Sequence, residues 1–123
     1  MLTIDRFSQT PIYEQIISEI ERLILLGLLE QGGALPSVRN LSQELSINPN
    51  TLQKAYSELE RRGICKSVPG TGRFISENAV EILRNEYSGE LDTLAAAAKK
   101  LALSGVPLET VYDTVKKAYS EAK

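Results

Sequence analysis

The order of four short segments between residues 10 and 76 constrains the fold most: three stretches have helical spacing and the fourth has the pattern of a hairpin. In the first stretch, apolar residues recur every three or four positions, as on the buried face of a helix. They are Ile12, Ile16, Ile17, Ile20, Leu23 and Ile24. Thr10 predicts the cap of this helix, Pro11 its first residue and Gly27 its end.

Cap signals also mark two further helices. Ser37 is a suitable cap for a short second helix, whose apolar side carries Val38, Leu41 and Leu45. Asn48 followed by Pro49 repeats the pattern of a cap and then a proline, and the third helix runs to about Arg62, before Gly63. Its apolar positions are Leu52, Ala55, Tyr56 and Leu59.

The third helix is followed by two short β-prone runs, residues 64–68 and 73–75. Pro69 and Gly70 lie at the centre of the turn between them, and this arrangement predicts a hairpin. Helix, helix, helix, hairpin is the order of a winged helix-turn-helix. The sequence therefore predicts a mainly α fold with a small β-hairpin wing.

Residues 77–123 have helical patterns but too little chain to enclose a core. One apolar stripe stops at Ser104 and Gly105, and Pro107 opens a last helix. Isolated folding becomes doubtful below roughly 40 to 60 residues. We expect a second copy of the chain to cover these stripes, as in a helical bundle. Residues 1–76 would then form a winged helix-turn-helix DNA-binding domain, and residues 77–123 a C-terminal helical dimerisation segment.

The composition excludes several kinds of site. The chain has no histidine and one cysteine, Cys65, so it cannot form an internal disulfide, a Ser-His-Asp site or a Cys-His site, and the usual zinc ligands are missing. We expect no enzyme activity, cofactor or metal, and we expect Cys65 to be a packed small hydrophobe rather than a redox sensor. No apolar run approaches the roughly 20 residues of a bilayer span, and no signal peptide is evident. We therefore expect a cytoplasmic protein without a membrane partner.

Charge is distributed unevenly along the chain, whose net charge is −2. Residues 37–76 carry six basic and three acidic groups, whereas residues 1–36 carry two and five, and residues 77–123 six and eight. A basic middle between acidic flanks favours a compact surface that binds the phosphates of DNA.

The polar face of the third helix suits a major groove. In a helix-turn-helix, the second helix of the pair presents its first turns to the bases. Here that face begins at Asn48 and shows Asn50, Thr51, Gln53, Lys54 and Ser57. Asn and Gln can pair with adenine, Thr can touch a thymine methyl group or a phosphate, and Lys can reach guanine or a phosphate. The alternative is that these are ordinary solvated side chains.

Two further segments are predicted to hold the DNA backbone. Ser37 and Arg39 combine the free N–H groups of a helix start with a guanidinium, which together suit a phosphate. At the hairpin tip, Gly70 allows close backbone approach to a minor groove or flanking phosphate. The donors near that tip are Lys66, Thr71 and Arg73.

Five motifs together resemble the GntR family of bacterial regulators. They are residues 11–16, 35–39, 48–56, 59–63 and 69–74, the third reading Asn-Pro-Asn-Thr-Leu-Gln-Lys-Ala-Tyr. The short helical tail resembles that of the YtrA subfamily. The resemblance implies dimerisation through the tail and control of the chain's own operon and neighbouring transporter genes. It also implies DNA contacts by Arg39, Asn50, Thr51, Gln53 and Gly70.

One departure from the family pattern limits what the resemblance implies. Some relatives have an arginine at position 49 or 53, where this chain has Pro49 and Gln53. The operator sequence therefore cannot be transferred from them.

Together these patterns predict a dimeric repressor that binds an inverted repeat in double-stranded DNA. One alternative is a winged helix used for protein contact. An enzyme is the other, although residues 77–123 are too few for the aminotransferase-like domain that some family members carry. A small-molecule effector stays open, with a pocket at the dimer interface or between head and tail, near Tyr87, Tyr112 or Tyr119. Aromatic residues at helical spacing are, however, more often core.

Overall fold

The computed structural model describes residues 2–122, and the chain divides into two compact units, Met1–Arg84 and Asn85–Lys123. Over the described residues the elements are α1 (Ile12–Leu25), α2 (Val38–Leu45), α3 (Pro49–Arg61), β1 (Cys65–Val68), β2 (Gly72–Ile75), α4 (Ala79–Leu103) and α5 (Leu108–Glu121). The first unit holds α1 to β2 and the start of α4, and the second holds the rest of α4 and α5. Three helices followed by a hairpin confirm the predicted winged helix-turn-helix.

Two of the predicted helix caps are confirmed. The Ser37 hydroxyl accepts the backbone N–H of Asn40 at 3.0 Å and so caps α2. The side-chain oxygen of Asn48 accepts the backbone N–H of Asn50 at 2.8 Å, and Pro49 is the first residue of α3. Both caps satisfy N–H groups that have no partner inside the helix.

The predicted Thr10 cap is wrong. Pro11 is itself the residue before α1, and no side chain caps that helix. Thr10 instead accepts the Gln15 side-chain amide at its carbonyl oxygen, at 2.8 Å. The same amide nitrogen also reaches the carbonyl oxygen of Asp5, at 2.9 Å. Gln15 therefore ties the N-terminal arm to α1 and holds Thr10 by its backbone.

The core of the first unit joins the apolar faces of α1, α2 and α3 to the hairpin and the start of α4. Its fully buried members include Ile16, Leu52, Ala55, Tyr56, Leu59, Ile64, Ala79 and Leu83. Cys65 is also buried in this core, as predicted for a packed small hydrophobe. Two of the core residues, Ala79 and Leu83, lie in the first turns of α4. The functional division between residues 76 and 77 stays a prediction.

A third segment extends the wing. β1 and β2 pair antiparallel, as predicted, and residues 32–35 pair with β2. The Ile75 N–H donates to the Gly33 carbonyl at 2.8 Å, and the Leu35 N–H donates to the Arg73 carbonyl at 2.9 Å. The sequence predicts only a turn-rich stretch here, because two glycines hide any alternation of apolar residues. The wing is thereby joined to the segment that leads into α2.

The second unit has no core of its own. None of its described residues, 85–122, is buried. Its exposed large apolar side chains are Tyr87, Leu91, Leu94, Leu101, Leu103, Leu108, Tyr112 and Tyr119. Among residues 2–122, no helix has both the length and the apolar character that a membrane crossing requires.

Candidate nucleic-acid interface

One face of α3 is fixed in the core and the opposite face is free of it. Leu52, Ala55, Tyr56 and Leu59 are fully buried, and α3 packs against both α1 and α2. The exposed face, which we name the recognition stripe, consists of Asn50, Gln53, Lys54 and Ser57. Thr51 is half-buried beside it. The structure thus places four residues of the predicted DNA-facing surface on one continuous stripe of a helix whose other side is buried.

Several polar groups of this helix already have intramolecular partners. The Gln53 amide nitrogen donates to the Ser57 hydroxyl at 3.1 Å, one helical turn away. The Lys54 ammonium lies 3.8 Å from the centroid of the Tyr13 ring in α1, a cation–π contact. The Asn48 side-chain oxygen is occupied as the cap, so this side chain offers its amide donors.

The first two turns of α3 carry no negative side chain. The first acidic residue of the helix is Glu58, and the Arg61 guanidinium lies 2.5 Å from its carboxylate. The hydrogen bond from Arg61 lowers the pKa of Glu58 below its ordinary value. The helix dipole adds partial positive charge at the same end. The beginning of α3 is therefore electrostatically suited to an anion such as DNA.

The start of α2 supplies a second predicted contact. Ser37 caps the helix, and Arg39 stands exposed in its first turn. Within residues 2–122, no ion pair engages the Arg39 guanidinium, so its donors face solvent. The position matches the predicted phosphate clamp in geometry, while the contact itself stays a prediction.

The wing tip has the predicted backbone freedom. Gly70 adopts φ +75°, a conformation that favours glycine, and a Cβ added there would meet open space. Thr71 donates its N–H to the Val68 carbonyl at 3.0 Å, which closes the turn. Lys66 and Thr71 are both exposed. The tip therefore exposes hydrogen-bond donors to solvent, and its backbone at Gly70 can be approached closely by a binding partner.

Arg73 points toward α3 instead of toward the tip. Its Nε lies 3.5 Å from a Glu60 carboxylate oxygen, and its guanidinium lies 5.3 Å from the centroid of the Tyr56 ring. Ser67 donates to the same Glu60 oxygen at 2.5 Å. The Ser67 hydrogen bond and the Arg73 charge lower the pKa of Glu60. These contacts hold the wing against α3. Sequence reasoning missed Glu60, because an exposed glutamate on a helix is common and carries no signal of its own.

Tyr56 ties α3 to the residue that precedes the α2 cap. Its hydroxyl donates to the Pro36 carbonyl at 2.8 Å. Burial raises the pKa of Tyr56, so the hydroxyl keeps its proton at neutral pH and stays a donor. This buried side chain therefore links α3 to the segment that leads into α2.

Arg6 holds the turn between those helices, and sequence reasoning missed it. Its guanidinium donates to the carbonyls of Leu45 at 2.6 Å and Ser46 at 3.0 Å, which end α2. Ser46 has φ +53°, the left-handed conformation of a tight helix end. The contact spans about forty residues of sequence, and no local pattern predicts it.

Residues 12–75, which form this helix-turn-helix and wing, match the family described as "Bacterial regulatory proteins, gntR family". The chain belongs to the gntR family. It is 41% identical to the HTH-type transcriptional repressor YtrA of Bacillus subtilis, over 100% of this chain and 95% of that protein. These matches confirm the resemblance predicted from the motifs.

Solved structures give the same result. A GntR family transcriptional regulator from Listeria monocytogenes matches with a TM-score of 0.64 and 34% identity, over 93% of this chain and 98% of that chain. AraR(DBD) in complex with operator ORX1 matches with a TM-score of 0.54 and 28% identity, over 61% of this chain and 93% of that chain. This gntR-family chain is a DNA-binding transcriptional regulator, and its relatives are not enzymes.

Proposed function

We propose that this gntR-family chain is a homodimeric repressor that binds an inverted-repeat operator with α3 in the major groove. The observation that carries the proposal is the recognition stripe, which lies opposite four fully buried residues of the same helix. A rigidly held helix that exposes amide donors and acceptors is suited to direct readout of base edges. The name of the Bacillus subtilis relative, a repressor, supports the direction of control.

Within residues 1–76 we assign two kinds of contact. Asn50, Thr51 and Gln53 read base edges, because they lie in the first turns of α3. The residues assigned to the DNA backbone are Ser37, Arg39, Asn48, Lys54, Ser57, Lys66, Gly70 and Thr71. Arg73 supports the wing through Glu60, and so acts on DNA through the position of the wing.

The second unit supports dimerisation through residues 77–123. None of residues 85–122, which form most of α4 and all of α5, is buried. Their apolar side chains therefore remain in contact with water, which is unfavourable. A second copy covers them as in a helical bundle. Two heads related by a two-fold axis bind half-sites about one helical turn apart, or a multiple of it. This geometry is the reason for an inverted repeat.

The regulated genes form a further part of the proposal. We propose control of the chain's own operon and of adjacent transporter genes, as the family resemblance implies. The effector pocket predicted near Tyr87, Tyr112 or Tyr119 stays a prediction. In its favour, α5 carries an apolar groove of about 570 Å³ that Tyr112 and Tyr119 line.

Replacing one exposed asparagine tests base reading. We expect Asn50→Ala to weaken binding to DNA from upstream of the chain's own gene by roughly 5- to 150-fold, from about 1–3 kcal/mol per good base contact. Binding to a scrambled duplex should change little. Fluorescence anisotropy with both labelled duplexes measures the two affinities. Asn85→Ala is the matched control, since Asn85 is also an exposed helical asparagine. An equal loss on both duplexes would contradict base reading by Asn50.

A charge on the apolar face tests dimerisation. We expect Leu94→Glu to give a monomer in sedimentation velocity, because Leu94 is an exposed apolar residue of α4 that the proposed interface buries. Thr93→Glu, which adds the same charge to the neighbouring exposed position, should leave the dimer intact. A wild-type chain that sediments as a monomer at the concentration used for DNA binding would overturn the dimer.

A further inference from the structure

The first unit contains a cavity that the proposed DNA contacts do not use. It has a volume of about 420 Å³ and lies among α1, the segment before α2, α2 itself and α3. Its walls are mainly apolar and include Leu23, Leu35 and Leu41. Sites for small molecules are typically concave, mostly apolar and roughly 300–1,000 Å³ in volume. The cavity therefore has the size and surface of a ligand site.

The cavity offers a ligand one charged side chain. Only two of its lining residues, Glu44 and Tyr56, have polar side chains. Tyr56 is fully buried and already donates its hydroxyl proton to the Pro36 carbonyl, so the exposed polar side chain of the cavity is the Glu44 carboxylate. Glu44 is exposed, which places its charge at the rim, and none of the ten lining residues is Lys or Arg. A carboxylate or phosphate ligand would meet an uncompensated negative charge.

We propose that this cavity binds a small apolar amine, with its hydrocarbon part among the leucines and its ammonium group beside Glu44. The proposal has a second part, which is that occupancy lowers affinity for DNA. Pro36 directly precedes the cap of α2, and Tyr56 lies on α3, so a ligand touches both helices of the helix-turn-helix. A ligand that binds one spacing of these helices better than another shifts the population toward it.

The two parts depend on different premises. Binding of the amine rests on the cavity alone. The effect on DNA affinity rests also on the proposed DNA-binding function.

Hexylamine is the probe, with hexanoic acid and hexanol as matched compounds that differ in the head group. Titration of the full-length ¹⁵N-labelled chain should give saturable amide shifts at Leu35, Leu41 and Tyr56 with hexylamine. The acid should bind at least tenfold more weakly. No saturable shift, equal binding of acid and amine, or shifts centred on α5 would each overturn the site.

Two variants locate the ligand. Glu44→Gln should weaken hexylamine binding roughly three- to fivefold, the upper range for an exposed ion pair. Glu81→Gln, at an exposed glutamate outside the cavity, should not. Ala34→Leu places extra methyl groups at the cavity wall and should abolish binding, with a melting curve to establish folding. If Ala34→Leu does not fold, the hexylamine affinities of Glu44→Gln and Glu81→Gln decide whether the amine binds in the cavity. Equal affinities of these two variants would overturn the site.

Anisotropy with operator DNA tests the coupling. Hexylamine should lower DNA affinity, and ammonium chloride at equal ionic strength should not. Glu44→Gln should require three to five times more amine for the same effect. Amine binding without any change in DNA affinity would overturn the proposed effect on DNA binding, but not the proposed binding of the amine in the cavity. A chain that binds no DNA even without amine would refute the proposed function, and the ¹⁵N titration would still decide the cavity.

Discussion

Replacement of Asn48 should separate the stability of α3 from its affinity for DNA. The side-chain oxygen accepts the Asn50 N–H at 2.8 Å, and Asn48→Ala removes this cap. Loss of an N-cap costs about 1 kcal/mol, within a range of roughly 0.5–2 kcal/mol. For a unit the size of Met1–Arg84, about 1 kcal/mol corresponds to a melting temperature lower by roughly 4–8 °C.

Asn48→Asp keeps the acceptor and adds a negative charge. That charge stabilises the positive end of the helix dipole, so the melting temperature should equal or slightly exceed that of the wild type. The same charge would lie where we propose a DNA phosphate. Two unit charges about 4 Å apart in water repel by about 1 kcal/mol. We therefore expect roughly fivefold weaker DNA binding, and a smaller loss at higher salt.

Circular dichroism melts and anisotropy at two salt concentrations measure the two effects of Asn48. Asn85→Asp, which adds the same charge to an exposed position of α4, is the control for net charge. An Asn48→Ala melting curve identical to that of the wild type would refute the role of the cap. Wild-type DNA affinity in Asn48→Asp would refute the placement of the start of α3 against the DNA backbone.

Three further predictions concern stability and reactivity. Gly70→Ala should lower the free energy of unfolding by about 1 kcal/mol in urea, because alanine is strained at φ +75°; Gly70→Asn should cost less. Burial raises the pKa of Cys65 from 9.0 to about 11, so its reaction with Ellman's reagent at pH 8 should be slow until denaturant is added. The thiol of the unfolded chain loses its proton at a lower pH than the buried thiol of the folded chain. The free energy of unfolding should therefore also fall as pH rises from 9.0 to about 11, and a free energy that does not change over this range would contradict burial of Cys65. Arg6→Ala should lower the free energy of unfolding by about 1 kcal/mol, because it removes two hydrogen bonds to carbonyls at the end of α2. Arg22→Ala breaks an exposed ion pair and should leave the urea unfolding curve almost unchanged.

Local patterns were sufficient for the helices and the hairpin. The caps at Ser37 and Asn48 and the apolar spacing of α3 depend on contacts within four residues, which the sequence shows directly. The cap at Thr10 failed because Pro11, not Thr10, is the residue before the helix, and the Pro11 carbonyl accepts the first backbone N–H groups of α1.

Contacts between distant segments could not be predicted in this way. The sequence places Arg73 at the wing tip, but its guanidinium lies beside Glu60, a residue of α3. Arg6 binds carbonyls about forty residues away, and residues 32–35 pair with β2. None of these contacts produces periodicity or a turn signal, because each depends on how the elements pack after they form. The cavity beside Tyr56 belongs to the same class, since its walls come from several elements.

The most direct test of base reading by the recognition stripe is the ratio of two dissociation constants. Kd is measured at physiological salt for the duplex upstream of the chain's own gene and for a scrambled duplex of equal length and composition. Specific regulators bind their sites typically about 10³-fold or more tighter than other DNA. We predict a ratio of at least that size, and a marked fall of this ratio in Asn50→Ala. Equal dissociation constants for the two duplexes in the wild type would contradict sequence-specific repression by this chain.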